Sequence, residues 1–318
     1  MITRKRLTHL AGSALALIAL VYFGHTMAHY WTKSSDAIWH PAVALSICCS
    51  LALGAAGYFF SAASWTQICR ALGLDINSVT ACRIYFISQF GKYLPGNVAQ
   101  HAGRLAMGVR EKLSGTAVAT SQLIEILLVI GSFAVLATIV GSSYLTQWQP
   151  DVIRIKPWQI LLAITVAVFA SLLALRLVRR WNRLRHFSDL IHHLIASRQG
   201  ITHLGSAILL IIANAATTTL CLYIIAIAVT GSHALPVMDI SFIFIVSWLA
   251  GFVTPGAPAG LGVRETVMLA MLSQIMGMSD AVATSLVFRI ATTGTDLLIF
   301  FLGLCLPSPR RSASTVIP

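Results

Sequence analysis

Apolar residues run through this chain in long blocks. No Asp, Glu, Lys or Arg occurs from Leu7 to Thr32, Ala37 to Cys69, Pro157 to Leu175 or Gln199 to Met238. A helix that crosses the hydrocarbon core of a bilayer needs roughly 20 apolar residues, and each block meets that length. Two more spans are predicted near Ser114 to Ile139 and Ala281 to Leu306, interrupted by Glu125 and by Arg289 with Asp296. The first span is expected to be a retained anchor and not a cleaved leader. Its apolar run continues past His25, and no convincing small-residue cleavage site follows.

Between these spans one helix-breaking motif is written twice. Gly91, Pro95, Gly96, Ala99 and Arg104 recur 160 residues later as Gly251, Pro255, Gly256, Ala259 and Arg264. Pro95 removes a backbone donor, Gly96 permits unusual dihedrals, and Asn97 is a good N-cap for a second half-helix. In the second copy Pro255, Gly256, Pro258, Gly260 and Gly262 forbid a continuous helix inside an apolar stretch. Irregular backbone at membrane depth survives only when buried in protein or lining a wet cavity. Two re-entrant hairpins are therefore predicted, about Ser78 to Arg110 and about Ile240 to Met278, with ordinary kinked spans as the alternative.

Charge fixes the sidedness. With the N-terminus in the cytoplasm, seventeen Lys and Arg fall on that side and four, Lys33, Arg154, Lys156 and Arg264, on the other. Cations accumulate on the cytoplasmic side of membrane proteins, so both termini are expected inside. The first hairpin then dips from the cytoplasm and the second from outside, an inverted pseudo-repeat. The predicted fold is an all-α polytopic membrane protein with about six spanning helices plus the two hairpins. It forms a single domain over 1–306, with pseudo-halves at about 41–150 and 200–306 and a disordered cytoplasmic tail at 307–318.

Composition agrees: 57% of residues are hydrophobic, 10% are charged, and mean hydropathy is +0.81. The net charge of +12 does not point to nucleic acid, because the cations flank apolar spans. Anionic lipid head groups are the nearer partner. Residues 176–203 read either as an in-plane amphipathic helix or as a plain cationic loop. The six cysteines, at 48, 49, 69, 82, 221 and 305, show no C-x-x-C and are expected to pack; neither a metal site nor a cofactor is predicted.

Chemistry concentrates at the breaks and at the charges inside the spans. Half-helix N-termini and nearby cations suit an anionic head group. The predicted head-group site comprises Lys92, Pro95, Gly96, Asn97, Arg104, Pro255, Gly256, Gly260, Gly262, Arg264 and Glu265. Glu125 and Arg289 stand about 30 and 34 residues beyond their respective Pro-Gly steps and carry opposite charges. An unpaired charge near the bilayer centre costs about 2.5 to 3.5 kcal/mol, so they are expected to pair across the bundle. With Asp296, and with Thr292 and Thr293 between, they form a predicted intramembrane charge network whose role is either transport or a static bridge. His25 and His29 have i, i+4 spacing that suits a metal pair or, beside Tyr30 and Trp31, an interfacial role. His101 lies in the first broken segment as a head-group contact or a solvated histidine.

GKYLPGNVAQHAGR from Gly91, Glu125, PAGLGVRE from Pro258 and FRIATTG around Arg289 together resemble the lysylphosphatidylglycerol synthase transmembrane-region family over about residues 40–306. The resemblance implies a polytopic inner-membrane domain that handles lipid or polyprenyl-linked substrates and moves them between leaflets. Here Ile126 and Val129 stand where the family often has Arg and Asp, and Ala259 replaces a common glycine. The chain runs only twelve residues past its last predicted span, so the soluble aminoacyl-transfer domain and synthase activity are not expected.

The expected function is binding and translocation of an anionic phospholipid or polyprenyl-phosphate-linked lipid in a bacterial inner membrane, without catalysis. Two other readings stay open. One is a non-catalytic membrane partner of a lipid or envelope biosynthesis enzyme. The other is an intramembrane lipid-modifying enzyme with Glu125, Asp296 or His101 as base.

Overall fold

In a computed structural model of the chain, the described residues are 17, 21–26, 28–30, 39–94, 98–147, 197–254 and 257–307, with side chains described only to 141 in the stretch 98–147. The spans expected at 7–32 and 157–175 and the segment 176–203 therefore lie wholly or largely outside them, as does the tail beyond 307. Among the described residues the fold is all-helical: α1 Pro41–Ala71, α2 Ser78–Gln89, α3 Ala99–Arg110, α4 Gly115–Gln147, α5 Arg198–Thr230, α6 Val237–Val253, α7 Val263–Leu272 and α8 Met278–Cys305. Four of these, α1, α4, α5 and α8, are long and apolar enough to cross a membrane. The protein is thus polytopic.

Local sequence sets the helix ends. Pro41 sits in the first turn of α1, where its missing N–H is no loss, and the His40 ring accepts from the Ala42 N–H. Gly73, at φ +72°, closes α1 with paired bonds from the Gly73 N–H to the Arg70 carbonyl and from the Leu74 N–H to the Cys69 carbonyl. Asn77 caps α2 and Ser197 caps α5 through their side-chain oxygens, each 2.8 Å from a backbone N–H. Left-handed Gly231 ends α5.

α1 and α5 lie along each other over much of their length. A β-carbon on Gly57 would sit 2.6 Å from Asn214 Oδ1, so a larger residue there would have to displace that side chain. Ser64 donates to the Ala207 carbonyl across the same seam at 3.1 Å. Small residues and interhelical hydrogen bonds take over where lipid removes the hydrophobic drive for helix association. Two aromatic cores flank the seam. One gathers Phe133, Phe244, Trp248 and Phe288 from α4, α6 and α8; the other gathers Trp65, Tyr85 and Phe86 from α1 and α2 with Ile299 of α8. Many of the side chains that point outward from the four long helices, such as Leu45, Val135, Leu209 and Phe301, are apolar.

Both predicted breaks exist as helix–turn–helix hairpins. α2 tightens into a 3₁₀ turn at Phe90–Tyr93, the chain extends at Leu94, and α3 returns. α6 ends at an extended Thr254, passes a 3₁₀ turn at Pro258–Gly260, and returns as α7. Pro95, Gly96, Asn97, Pro255 and Gly256 lie outside the described residues. Matched glycines close the two hairpins. A β-carbon on Gly91 would meet the backbone nitrogen of Gln100 at 2.6 Å, and one on Gly251 would meet Gly260 Cα at 3.3 Å, the same 160-residue offset in both arms. The two 3₁₀ turns touch each other.

Candidate functional site

A cavity of about 250 Å³ opens where the two turns meet. Every described long helix and both hairpins contribute to its wall, which mixes aromatic rings with Ser61, Gln89, Asn214, Thr218 and Thr292. Polar side chains inside an apolar body are expensive to place and mark ligand or ion paths.

The first charge cluster joins the turn of the first hairpin to α8. Lys92 Nζ lies 2.7 Å from Asp296 Oδ1 and donates to the Tyr58 hydroxyl at 2.8 Å. The hydroxyls of Tyr58 and Tyr93 each donate to one oxygen of the Asp296 carboxylate, which is thereby fully engaged. Both tyrosine rings also face the ammonium group, at 5.6 and 5.5 Å.

The second cluster ties the return arm of the first hairpin to the helix that follows it. Arg104 is buried, pairs with Glu125 of α4, and lies over the Tyr85 ring at 4.1 Å and the Trp65 ring at 5.2 Å. Beside it the His101 ring contacts the Gln122 and Gln100 amides at 2.9 and 3.1 Å.

The second hairpin repeats this arrangement with the signs exchanged. Glu265 of α7 takes Arg289 of α8 at 3.1 Å through one oxygen, and through the other accepts the Gly262 N–H at 2.8 Å. A carboxylate three residues into a helix is well placed to satisfy the free amides and the positive end of the dipole there. The Gly260 N–H is likewise taken, by the Ala257 carbonyl.

These contacts revise two expectations. Glu125 and Arg289 do not pair with one another: each finds its partner on the hairpin arm packed beside it, Arg104 and Glu265, which is nearer than the opposite half. Glu265 and the amides of Gly260 and Gly262, placed by sequence in the head-group site, are engaged within their own turn. Arg264 differs from the other cations at the cavity. Its guanidinium lies over the rings of Phe244 and Phe288, at 5.7 and 5.5 Å, with no carboxylate in reach among the described residues.

Ala259 holds φ at +52°, in the left-handed region that favours glycine. Sequence reasoning missed Tyr58, Tyr93, Tyr85, Trp65, Phe244 and Phe288, the rings and hydroxyls that hold the charges. Tyr93 alone had a signal, its place beside Lys92 in the broken motif. His25 and His29 are exposed, and no group of three or more metal-ligating side chains occurs among the described residues. All six cysteines are free; Cys69 and Cys221 are buried in the packing, and Cys48, Cys49 and Cys305 are exposed.

A comparison with curated proteins gave no match. Residues 9–299 match the family described as Lysylphosphatidylglycerol synthase TM region, a match that takes in both hairpins and every charged pair around the cavity, and the chain belongs to this family.

Proposed function

We propose that the protein binds an anionic phospholipid or a polyprenyl-phosphate-linked lipid by its head group and carries it between leaflets of a bacterial inner membrane. The observation that carries this reading is a cavity of mixed aromatic, polar and charged lining, with four cations among its residues, at the meeting point of two broken helices and surrounded by helices of spanning length. Broken helices in matching places of two halves are a recurrent way to build a mid-membrane transport site. The cavity is smaller than the roughly 300 to 1,000 Å³ of pockets that enclose whole drug-sized ligands. It therefore suits a head group whose acyl chains stay outside among the helices. The arms of the first hairpin, at 12 residues each, are too short to span, which supports a re-entrant course. Opposed entry of the two hairpins and cytoplasmic termini rest on the seventeen-to-four cation bias. No catalytic step is assigned.

Reconstituted protein should exchange fluorescent phosphatidylglycerol between leaflets, read by quenching from the outer side. Rates equal to those of empty vesicles across several anionic lipids, phosphate-linked polyprenols included, overturn the reading. A family described as one region of a synthase also favours a second reading, a membrane partner of a lipid-synthesising enzyme. Co-purification of one stable enzyme, with no exchange by the isolated chain, would select it.

A further inference from the structure

We propose that the cavity selects a head group with one net negative charge, a monoanionic phosphodiester, and that Arg264 is the residue that reads it. The inference rests on the lipid-binding function proposed above and narrows its ligand.

Charge neutrality is local here. Among the described residues, three of the four Lys and Arg side chains that border the cavity are already matched: Lys92 by Asp296, Arg104 by Glu125 and Arg289 by Glu265. Each matched pair is held by further hydrogen bonds or rings, so none is free to meet a second anion without breaking the first contact. Among these Lys and Arg side chains one unmatched charge remains, on Arg264. Its guanidinium offers five N–H donors, and none is used by a described partner. Two aromatic faces stabilise the cation and leave its edge available.

The 160-residue offset shows why this charge is left over. Arg104 and Arg264 are equivalent under that offset, and the position equivalent to Glu125 is Ser285. Ser285 is buried, its hydroxyl has no hydrogen-bond partner, and it borders a small crevice shared with Arg264. The second half therefore has a neutral, unsatisfied hydroxyl where the first half has the carboxylate that neutralises its arginine. A phosphodiester supplies the missing element, one negative charge for the guanidinium. A zwitterionic head group brings an extra cation, an aminoacylated one a surplus of positive charge, and a pyrophosphate a second negative charge with no counterpart.

The test uses the full-length protein in nanodiscs of phosphatidylcholine doped with equal amounts of phosphatidylglycerol, phosphatidylethanolamine, lysylphosphatidylglycerol and cardiolipin, with retained lipid read by native mass spectrometry. Phosphatidylglycerol should be enriched about 10-fold or more over the zwitterionic and cationic lipids, the size of one charge-assisted contact. Arg264→Gln should abolish the enrichment and Arg264→Lys should keep most of it. Ser285→Glu should abolish it with Arg264 still present, which guards against misfolding of the arginine variant. Excess soluble glycerophosphoglycerol should not displace the lipid; displacement at equal concentration overturns the lipid assignment. Equal retention of all four lipids, or enrichment that survives both Arg264→Gln and Ser285→Glu, overturns the proposal. Enrichment without leaflet exchange upholds it and sinks only the transport reading, whereas exchange blind to head-group charge does the reverse.

Discussion

Lys92 and Asp296 meet at 2.7 Å across 204 residues of sequence, and theirs is the one ion pair among the described residues that joins the first hairpin to α8. Removing one partner of a buried pair leaves the other uncompensated, at a cost of about 3 to 5 kcal/mol. Asp296→Leu should therefore lower thermal stability in detergent markedly. Lys92→Met combined with Asp296→Leu should lose less than Asp296→Leu alone. Once the exposed Cys48, Cys49 and Cys305 are replaced by serine, unfolding can be followed with a thiol-reactive dye that reports exposure of Cys69 and Cys221, both buried in the fold.

Ala259 sits at φ +52°, a conformation that disfavours a β-carbon by about 1 to 2 kcal/mol. Ala259→Gly should stabilise the protein by about 1 kcal/mol in the same assay. A loss of stability would show that the turn is held in another conformation.

Gly91 is the opposite case, since its absent side chain faces backbone 2.6 Å away. Gly91→Ala should push the hairpin arms apart and destabilise by about 1 to 3 kcal/mol, the usual range for overpacking. Gly131→Ala, in open space on α4, should be neutral or slightly stabilising because alanine is the better helix former.

Glu265 both caps α7 and pairs with Arg289. Glu265→Gln keeps an acceptor for the Gly262 N–H and loses the charge, while Glu265→Ala loses both. The alanine variant should be the less stable by about 1 kcal/mol, the usual worth of a cap. Equal melting temperatures would mean that the cap contributes nothing.

If the central cavity is hydrated, cysteines introduced at Ser61 and Thr218 of a variant whose own six cysteines are replaced by serine should react with a charged, membrane-impermeant thiol reagent, and one at Leu209 should not. Ser61 and Thr218 line the cavity, whereas Leu209 is 69% exposed on the outer, apolar surface of α5. Labelling at Leu209 alone would place water outside the bundle instead of within it.

Four of the expected spans and both breaks were legible in the sequence because each rests on a local cause. Twenty uncharged residues suffice for α1 and α5, and proline with glycine suffices to interrupt a helix near Pro95 and Pro258. The charged residues were legible as a set, since Glu125, Arg289 and Asp296 stand out in apolar helices. Their pairing was not, because partner choice depends on which hairpin arm packs against which helix. Glu125 had Arg104 and Arg289 as possible partners, and only the fold puts Arg104 nearer. Tyr58, Trp65 and Phe288 could not be told from ordinary packing aromatics, because an aromatic in an apolar helix carries no mark of what its face or hydroxyl touches.

The glycine at position 57 fixes where this molecule can yield. With Asn214 against it, α1 and α5 stay packed along much of their length. A bulky guest would then have to enter beside the short folded-back arms, whose residues share the wall of the chamber.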